Sequence, residues 1–247
     1  MTRTRDLLHK ALKLRRVLAE RDYRRGLLRG VAATVEHERI VFPRDYRSIV
    51  DVGANRGQFA LFALHRFPAA SLICFEPIPA ARGKLATVIG QNGRVHIHEC
   101  AVGAEAGRLS LHIARSDDSS SLLRPTALQQ RTFRNTDTVS STEVDVVTLD
   151  EIIDFEQLAL PFLLKIDVQG FELEVIKGAE QFLHHDGDVL VEASFVELYA
   201  GQALVDEVVA AMLRFEYRLR GIVSITEGPD GMPLQGDLLF SRAPASA

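Results

Sequence analysis

The sequence is poor in the residues that mark several large classes of protein. It has no tryptophan and only 7% aromatic residues, so it offers few flat side chains on which unpaired bases could stack. Positive charge is not in excess: 29 lysines and arginines stand against 33 acidic residues, for a net charge of -4. Coating nucleic acid needs the opposite balance, because phosphates must be neutralised, so no nucleic-acid partner is expected. Only two cysteines occur, Cys74 and Cys100, each inside an apolar run. That excludes a disulfide framework and fits a reducing compartment. The apolar runs, such as 158–164, are too short to span a bilayer. Near the N-terminus Lys10, Lys13, Arg15 and Arg16 interrupt the apolar stretch a signal peptide would need. A soluble, cytoplasmic protein is the expectation.

What is present fits one α/β domain with a short extension: the 247 residues suffice for a sizeable core. Residues 1–45 read as a basic helical extension and 46–247 as the domain. Residues 1–30 hold ten lysines and arginines against Asp6, Glu20 and Asp22. Among them Leu7, Leu8, Ala11, Leu12, Leu14, Val17 and Leu18 recur at helical spacing, so a helix is predicted over 5–35. A solvated polar face, a second copy in a homodimer, or peripheral contact with an anionic membrane would each account for such a helix.

From residue 48 onward, strands and helices alternate. Strands are predicted at 49–52, 71–75, 95–102, 108–114, 144–149, 162–168 and 189–193, with helices at 57–67, 80–89, 171–183 and 204–215. Such alternation implies a mostly parallel sheet covered on both faces. The last two strands, 217–225 and 238–242, have no helix between them and should pair antiparallel. The expected fold is therefore Rossmann-like α/β, with a seven-stranded, mostly parallel sheet and a C-terminal antiparallel strand pair.

The strongest local motif is Asp51-Val52-Gly53-Ala54-Asn55-Arg56-Gly57, a glycine turn between a strand and a helix. Its glycines let the backbone bend tightly and approach a ligand, and in such a sheet ligands sit outside the carboxyl ends of the strands. Glu76 closes the second strand, where a carboxylate can accept both hydrogen bonds of a ribose diol. Asp51 adds a second carboxylate. Beside a pyrophosphate it would repel; beside a sulfonium or ammonium it would attract. No G-x-G-x-x-G turn is present. These features favour S-adenosylmethionine (SAM) over a nicotinamide dinucleotide, although a nicotinamide-dependent reductase and a non-catalytic SAM-binding protein stay open at this level.

Five strings together resemble the FkbM-type SAM-dependent methyltransferases: Asp51 to Gly57, Phe75-Glu76-Pro77, Cys100-Ala101-Val102-Gly103, Thr148-Leu149-Asp150-Glu151, and Leu164-Lys165-Ile166-Asp167-Val168-Gln169-Gly170-Phe171-Glu172 continuing to Lys177-Gly178-Ala179. The resemblance covers roughly residues 49–193. It implies a SAM-dependent O-methyltransferase acting on hydroxyls of sugars, polyketides or related glycans, with a small-molecule or glycan acceptor. Carried over residue by residue, Asp51, Gly53, Ala54, Asn55 and Gly57 form the cofactor loop and Glu76 with Pro77 the ribose end. Cys100 and Ala101 fall where the adenine edge is met, Cys100 standing where relatives often carry Asn.

Methyl transfer to oxygen needs the acceptor aligned with the sulfonium carbon and its proton withdrawn. Alignment is worth effective molarities of ~10⁵ M or more, and a general base ~10²–10⁴-fold. Asp167 is the first candidate for the reaction centre, since an aspartate after a buried apolar strand is costly without a partner or ligand. Lys165, two residues earlier on the same strand face, is its natural partner. Glu192 near the end of the next strand is a base, a substrate acceptor or a structural acceptor. Asp167 and Glu192 at adjacent strand ends also suit Mg²⁺, yet two carboxylates do not make a metal site and none is assigned. Glu172 falls in a first helical turn, where capping explains it. His96, His98 and Cys100 share a strand face by alternation alone, which is no zinc site. Ser119-Ser120-Ser121 resembles a Ser-rich element of the family and reads equally as pocket wall, mobile cover or plain loop.

Overall fold

The structure, a computed structural model, describes residues 17–90 and 92–242. Among the described residues ten strands and seven α-helices follow in chain order: α1 (Arg21–Leu28), β1 (Ser48–Val52), α2 (Gln58–Arg66), β2 (Ser71–Phe75), α3 (Pro79–Ile89), β3 (Val95–His98), β4 (Ala101–Val102), β5 (Gly107–Ala114), α4 (Ala127–Thr132), β6 (Thr138–Val147), α5 (Leu149–Ile152), β7 (Phe162–Ile166), α6 (Glu172–Lys177), β8 (Gly187–Ser194), α7 (Val205–Arg214), β9 (Tyr217–Glu227) and β10 (Pro233–Arg242). The central sheet runs β3-β2-β1-β7-β8-β10-β9. All its neighbours are parallel until β10, which pairs antiparallel with β8 and β9. This is the predicted Rossmann-like sheet with its antiparallel end.

The middle strands are buried along their whole length, Ser48–Val52 and Phe162–Ile166 alike, because helices cover both faces. Alternation sends their side chains into two cores. Ile49, Leu72, Leu163, Leu190 and Leu239 meet Phe59 and Phe62 of α2, with Tyr23, Phe42 and Tyr46 from the N-terminal region. Val50, Phe75, Leu164, Val191 and Phe240 meet Val175 of α6 and Met212 of α7 on the other face. The same period of two places Asp51, Lys165, Glu192 and Asp237 on the first face, toward the carboxyl end of the parallel strands. Asp51 registers beside Lys165 and Glu192 beside Asp237. One sheet face thus carries a row of charge under residues 31–42.

Several boundaries differ from expectation for identifiable reasons. Of the helix predicted over 5–35, residues 5–16 lie outside the described residues. The described part stops at Leu28 in a Schellman turn: Gly30 adopts φ +78, its N–H donates to Leu27 O, and the Val31 N–H donates to Gly26 O. Residues Val35–Arg39 form a separate 3₁₀ turn. The strand expected over 95–102 breaks after His98, and its second half, Ala101–Val102, joins a small sheet with β6 and β5. The helix expected over 171–183 ends at Lys177 because Gly178 abuts the Gly103 carbonyl, where a Cβ would lie 1.9 Å from the oxygen. Asp150 then caps a fresh 3₁₀ turn by accepting the Gln181 and Phe182 N–H groups at 2.9 and 2.8 Å.

Candidate active site

A cavity of about 360 Å³ opens at the carboxyl ends of β2, β1 and β7. Strand order fixes its two ends. On the β2 side its wall is Phe75, Glu76, Pro77, Ile78, Ala101 and Val102; on the β7 side it is Lys165, Asp167, Val168 and Gln169, with His37 and Phe59 above them. The turn Gly53-Ala54-Asn55 lies between. Residues 32–34, 117, 118 and 120–122 complete the enclosure, so Ser120 and Ser121 of the Ser-rich stretch belong to the pocket wall. That stretch is anchored at both sides. Arg56 Nε donates to Asp117 Oδ2 at 2.7 Å, and Ser121 Oγ donates to the Gln169 carbonyl at 2.6 Å.

The glycine turn is shaped by contact. Gly53 has φ +83, and a Cβ there would lie 1.9 Å from the Asp167 carbonyl oxygen; the first and fourth parallel strands could not approach so closely around any other residue. Its N–H and that of Ala54 both donate to Phe75 O, at 3.1 and 3.0 Å. Asn55 follows at φ 46, which aims its N–H at Glu76 Oε2, 2.8 Å away. Glu76 accepts a second N–H from Ile78 at 2.7 Å. Each carboxylate oxygen keeps a free lone pair after these bonds. Burial pushes the Glu76 pKa up to about 7 despite the two N–H groups that pull it down.

At the other end, charge is held by partners. Lys165 Nζ lies 3.0 Å from Asp167 Oδ2 and 3.8 Å from Asp51 Oδ1. Burial works against its ammonium, but Asp167 and Asp51 outweigh burial and raise its pKa above the ordinary value. Asp51 is wholly buried, neither of its oxygens has a hydrogen-bond partner among the described residues, and burial pushes its pKa up to about 6. Gln169, at φ 57, is pinned through its whole amide. Its Nε2 donates to Asp167 Oδ1 at 2.9 Å and Glu192 Oε2 at 3.0 Å, and its Oε1 lies 3.0 Å from the Tyr199 hydroxyl. Glu192 also accepts from Gln235 Nε2 at 2.8 Å; burial and then the Asp167 charge hold its carboxyl pKa well above the usual range.

The structure brings most of the sequence-selected residues together. Gly53, Ala54, Asn55, Glu76, Pro77, Ala101, Lys165 and Asp167 line the cavity. Four do not lie on its wall. Asp51 sits beneath it, behind Lys165. Gly57 caps α2 at φ 93, where a Cβ would press Leu85 Cδ1 at 2.7 Å; it lets α2 and α3 pack. Cys100 is buried in the second core. Glu192 is hydrogen-bonded to Gln169, which does line the cavity. Glu172, buried, folds back to accept the Val168 and Gly170 N–H groups at 3.2 and 3.0 Å, closing the turn after β7. Among the described residues no group of three or more His, Cys, Asp and Glu side chains is arranged to hold a metal ion, and no helix is long and apolar enough to cross a membrane. Sequence reasoning passed over His37 and Phe59, whose only local sign is apolar periodicity, and gave Gln169 no role.

SAM fits these groups. Glu76 offers the lone pairs a ribose diol needs, Phe75, Ile78, Ala101 and Val102 supply an apolar slot, and Asp51 and Asp167 favour a cationic sulfur nucleoside over a pyrophosphate. The comparisons with known proteins agree. The sequence profile described as the methyltransferase FkbM domain matches residues 51–219. The chain is 26% identical over 228 residues to the 2-O-methyltransferase NoeI of Sinorhizobium fredii, covering 89% of this chain and 90% of that one. It is 29% identical over 153 residues to the 31-O-demethyl-FK506 methyltransferase FkbM of Streptomyces tacrolimicus, covering 53% of this chain and 59% of that one. It is 26% identical over 143 residues to the hexuronic acid methyltransferase AglP of Haloferax volcanii, covering 58% and 54% respectively.

Proposed function

The chain belongs to the FkbM methyltransferase family, a SAM-dependent enzyme by that membership, and from this premise we propose that its methyl acceptor is a hydroxyl oxygen of a sugar, glycan or polyketide. One observation carries the reading. A single cavity has a buried carboxylate with free lone pairs at one end and a lysine–aspartate pair at the other, so one elongated cationic nucleoside can span it. The full-length relative is a 2-O-methyltransferase and two partial ones act on an FK506 hydroxyl and a hexuronic acid.

The roles follow from position. Glu76 holds the ribose diol, Gly53 to Asn55 pass the chain close beneath it, and Pro77 with Ala101 borders the base. Bound SAM supplies an electrophilic methyl carbon and a neutral thioether leaving group. Asp167 sits at the reaction end, where Lys165 and Gln169 fix its carboxylate so that it can orient the acceptor hydroxyl. Lys165 already carries its proton and acts as counter-charge, not as base. Glu192 holds Gln169 in place. Asp51 lies behind Lys165 and sets the local field. No metal is assigned.

The two buried free thiols, Cys74 and Cys100, suit a reducing compartment, and the reading places the enzyme in the cytoplasm. Of the extension 1–45, the stretch 31–42 packs on the domain 46–247 and walls its cavity, and the basic segment before it meets an anionic membrane or a second copy of the chain. Sedimentation with anionic vesicles and analytical ultracentrifugation test those two contacts. The activity itself is tested with methyl-labelled SAM over a panel of glycosides, lipid-linked sugars and polyketides, with and without Mg²⁺ or chelator. Label appearing in an alkali-stable methyl ether supports the reading; transfer to nitrogen, or none over the panel, contradicts it.

A further inference from the structure

Oxygen methylation needs a group that takes the hydroxyl proton, and the charged residues at the reaction end are poorly placed for it. Lys165 is protonated and holds Asp167 at 3.0 Å. Both Asp167 oxygens are engaged, by Lys165 and by Gln169, and Glu192 lies off the cavity wall behind Gln169.

His37 is free of these objections. It belongs to the Val35–Arg39 turn, lines the cavity beside Phe59 and Lys165, and is 6% exposed. Its ring meets Phe59 edge-on at 5.4 Å and lies 5.6 Å from Phe62, so two α2 side chains fix its plane. The Thr34 N–H, donating to Gln58 O at 3.2 Å, ties the turn to the start of α2. Behind the ring, Nε2 lies 3.5 Å from Asp237 Oδ2 on β10, which also accepts the Ser224 hydroxyl at 2.5 Å. Both ring nitrogens are buried and neither makes a hydrogen bond among the described residues, Nε2 standing only at ion-pair distance from Asp237. An imidazole whose one nitrogen faces a buried carboxylate, and whose other nitrogen is unpaired at a cavity wall, has the form of an oriented base.

Resting on the O-methyltransferase reading, we propose that His37 is the general base of this enzyme, taking the acceptor hydroxyl proton on Nδ1, and that Asp237 is the positioning residue that holds it for the task. The O–H bond breaks as the N–H bond forms, its electron pair stays on the acceptor oxygen, and the proton later leaves Nδ1 to solvent. Asp237 is suited to steady the imidazolium. Burial opposes its ionisation, but the nearby His37 ring, the Ser224 hydroxyl and the Lys165 charge together keep its pKa below the ordinary value. The charged groups near His37 are Asp237 from β10, Asp51 from β1 and Lys165 from β7; α2 packs the Phe59 and Phe62 rings against it.

The test uses the whole chain and His37→Asn, His37→Gln and Asp237→Asn. Wild type is first assayed with methyl-labelled SAM on methyl glycosides of neutral hexoses and deoxyhexoses, a hexuronate and a macrolide polyol, and the probe methylated fastest is carried forward. His37→Asn and His37→Gln should lower kcat by ~10²–10⁴-fold, abolish the acid limb of the pH–rate profile, and leave S-adenosylhomocysteine affinity within about threefold. Asp237→Asn should lower kcat by about tenfold or more while KM for the probe and S-adenosylhomocysteine affinity stay within about threefold, because the ring remains but is no longer held. The inference is overturned by a kcat loss under about tenfold in the His37 variants, by a loss that follows a matching fall in S-adenosylhomocysteine affinity, or by an Asp237→Asn variant whose kcat equals that of wild type. Wild-type silence over all probes removes the O-methyltransferase reading and the base with it; wild-type turnover with unimpaired His37 variants removes the base alone.

Discussion

Glu76→Gln tests the ribose end of the site through two observables with opposite pH behaviour. Burial holds the free protein's Glu76 near a pKa of about 7 against an ordinary 4.5. Between those values the folded chain binds a proton that the unfolded chain has lost, so stability falls as pH rises through the window, by about 1.4 kcal/mol per unit. Over about 2.5 units this amounts to about 3.5 kcal/mol at most. Ribose hydroxyls donate to the ionised carboxylate, so the cofactor binds the deprotonated form. Its affinity should therefore fall about tenfold per unit below pH 7, with one proton released on binding. In Glu76→Gln both trends should flatten. At pH 8 affinity should drop by about 2–3 kcal/mol, or about 30–150-fold, for a charge-assisted bond lost and an amide N–H set against the Asn55 or Ile78 donor. Calorimetry with S-adenosylhomocysteine from pH 5.5 to 8.5 (roughly the window that matters), in buffers of different ionisation enthalpy, reads affinity and proton release together. A wild-type affinity independent of pH, or a variant within about threefold of wild type at pH 8, would refute the reasoning.

Three further outcomes follow from the same geometry. Gly53→Ala must hold φ +83 and place a Cβ 1.9 Å from the Asp167 carbonyl, so it should lose about 1–2 kcal/mol for the backbone alone and more for separating β1 from β7, seen as a lower unfolding midpoint; an unchanged midpoint contradicts the contact. Asp167→Asn should keep S-adenosylhomocysteine affinity within about tenfold while turnover falls further; equal turnover removes Asp167 from the reaction end. Lys165→Met leaves Asp51 buried beside no cation and should cost about 3–5 kcal/mol in denaturant unfolding, much of it recovered in the double variant with Asp51→Asn; additivity of the two changes would show that the pair does not interact.

The sheet was legible because its strands are short, apolar and bounded by turn residues. Alternation alone put Asp51, Lys165 and Asp167 at one strand end, and the Gly53 to Gly57 turn marked the switch point. The signature strings proved divided in purpose. Thr148 and Glu151 form a capping box, Asp150 restarts the chain at Gln181 and Phe182, and Glu172 closes a backbone turn, whereas Glu76 and Lys165 face the cavity. Spacing cannot separate these uses, since a carboxylate that caps N–H groups and one that awaits a ligand look identical in sequence. His37 and Asp237 lie 200 positions apart, and only the fold makes them neighbours. The break after Lys177 was equally hidden, because the Gly178 contact with Gly103 is tertiary.

The central claim is that one cavity seats SAM with its ribose on Glu76 and its sulfur toward Asp167. A crystal structure of the complex with S-adenosylhomocysteine tests it most directly. The account predicts both ribose hydroxyls on the Glu76 carboxylate, with the sulfur at the Lys165–Asp167 end of the cavity. A nucleoside lying elsewhere, or reversed so that its base meets Asp167, would contradict it.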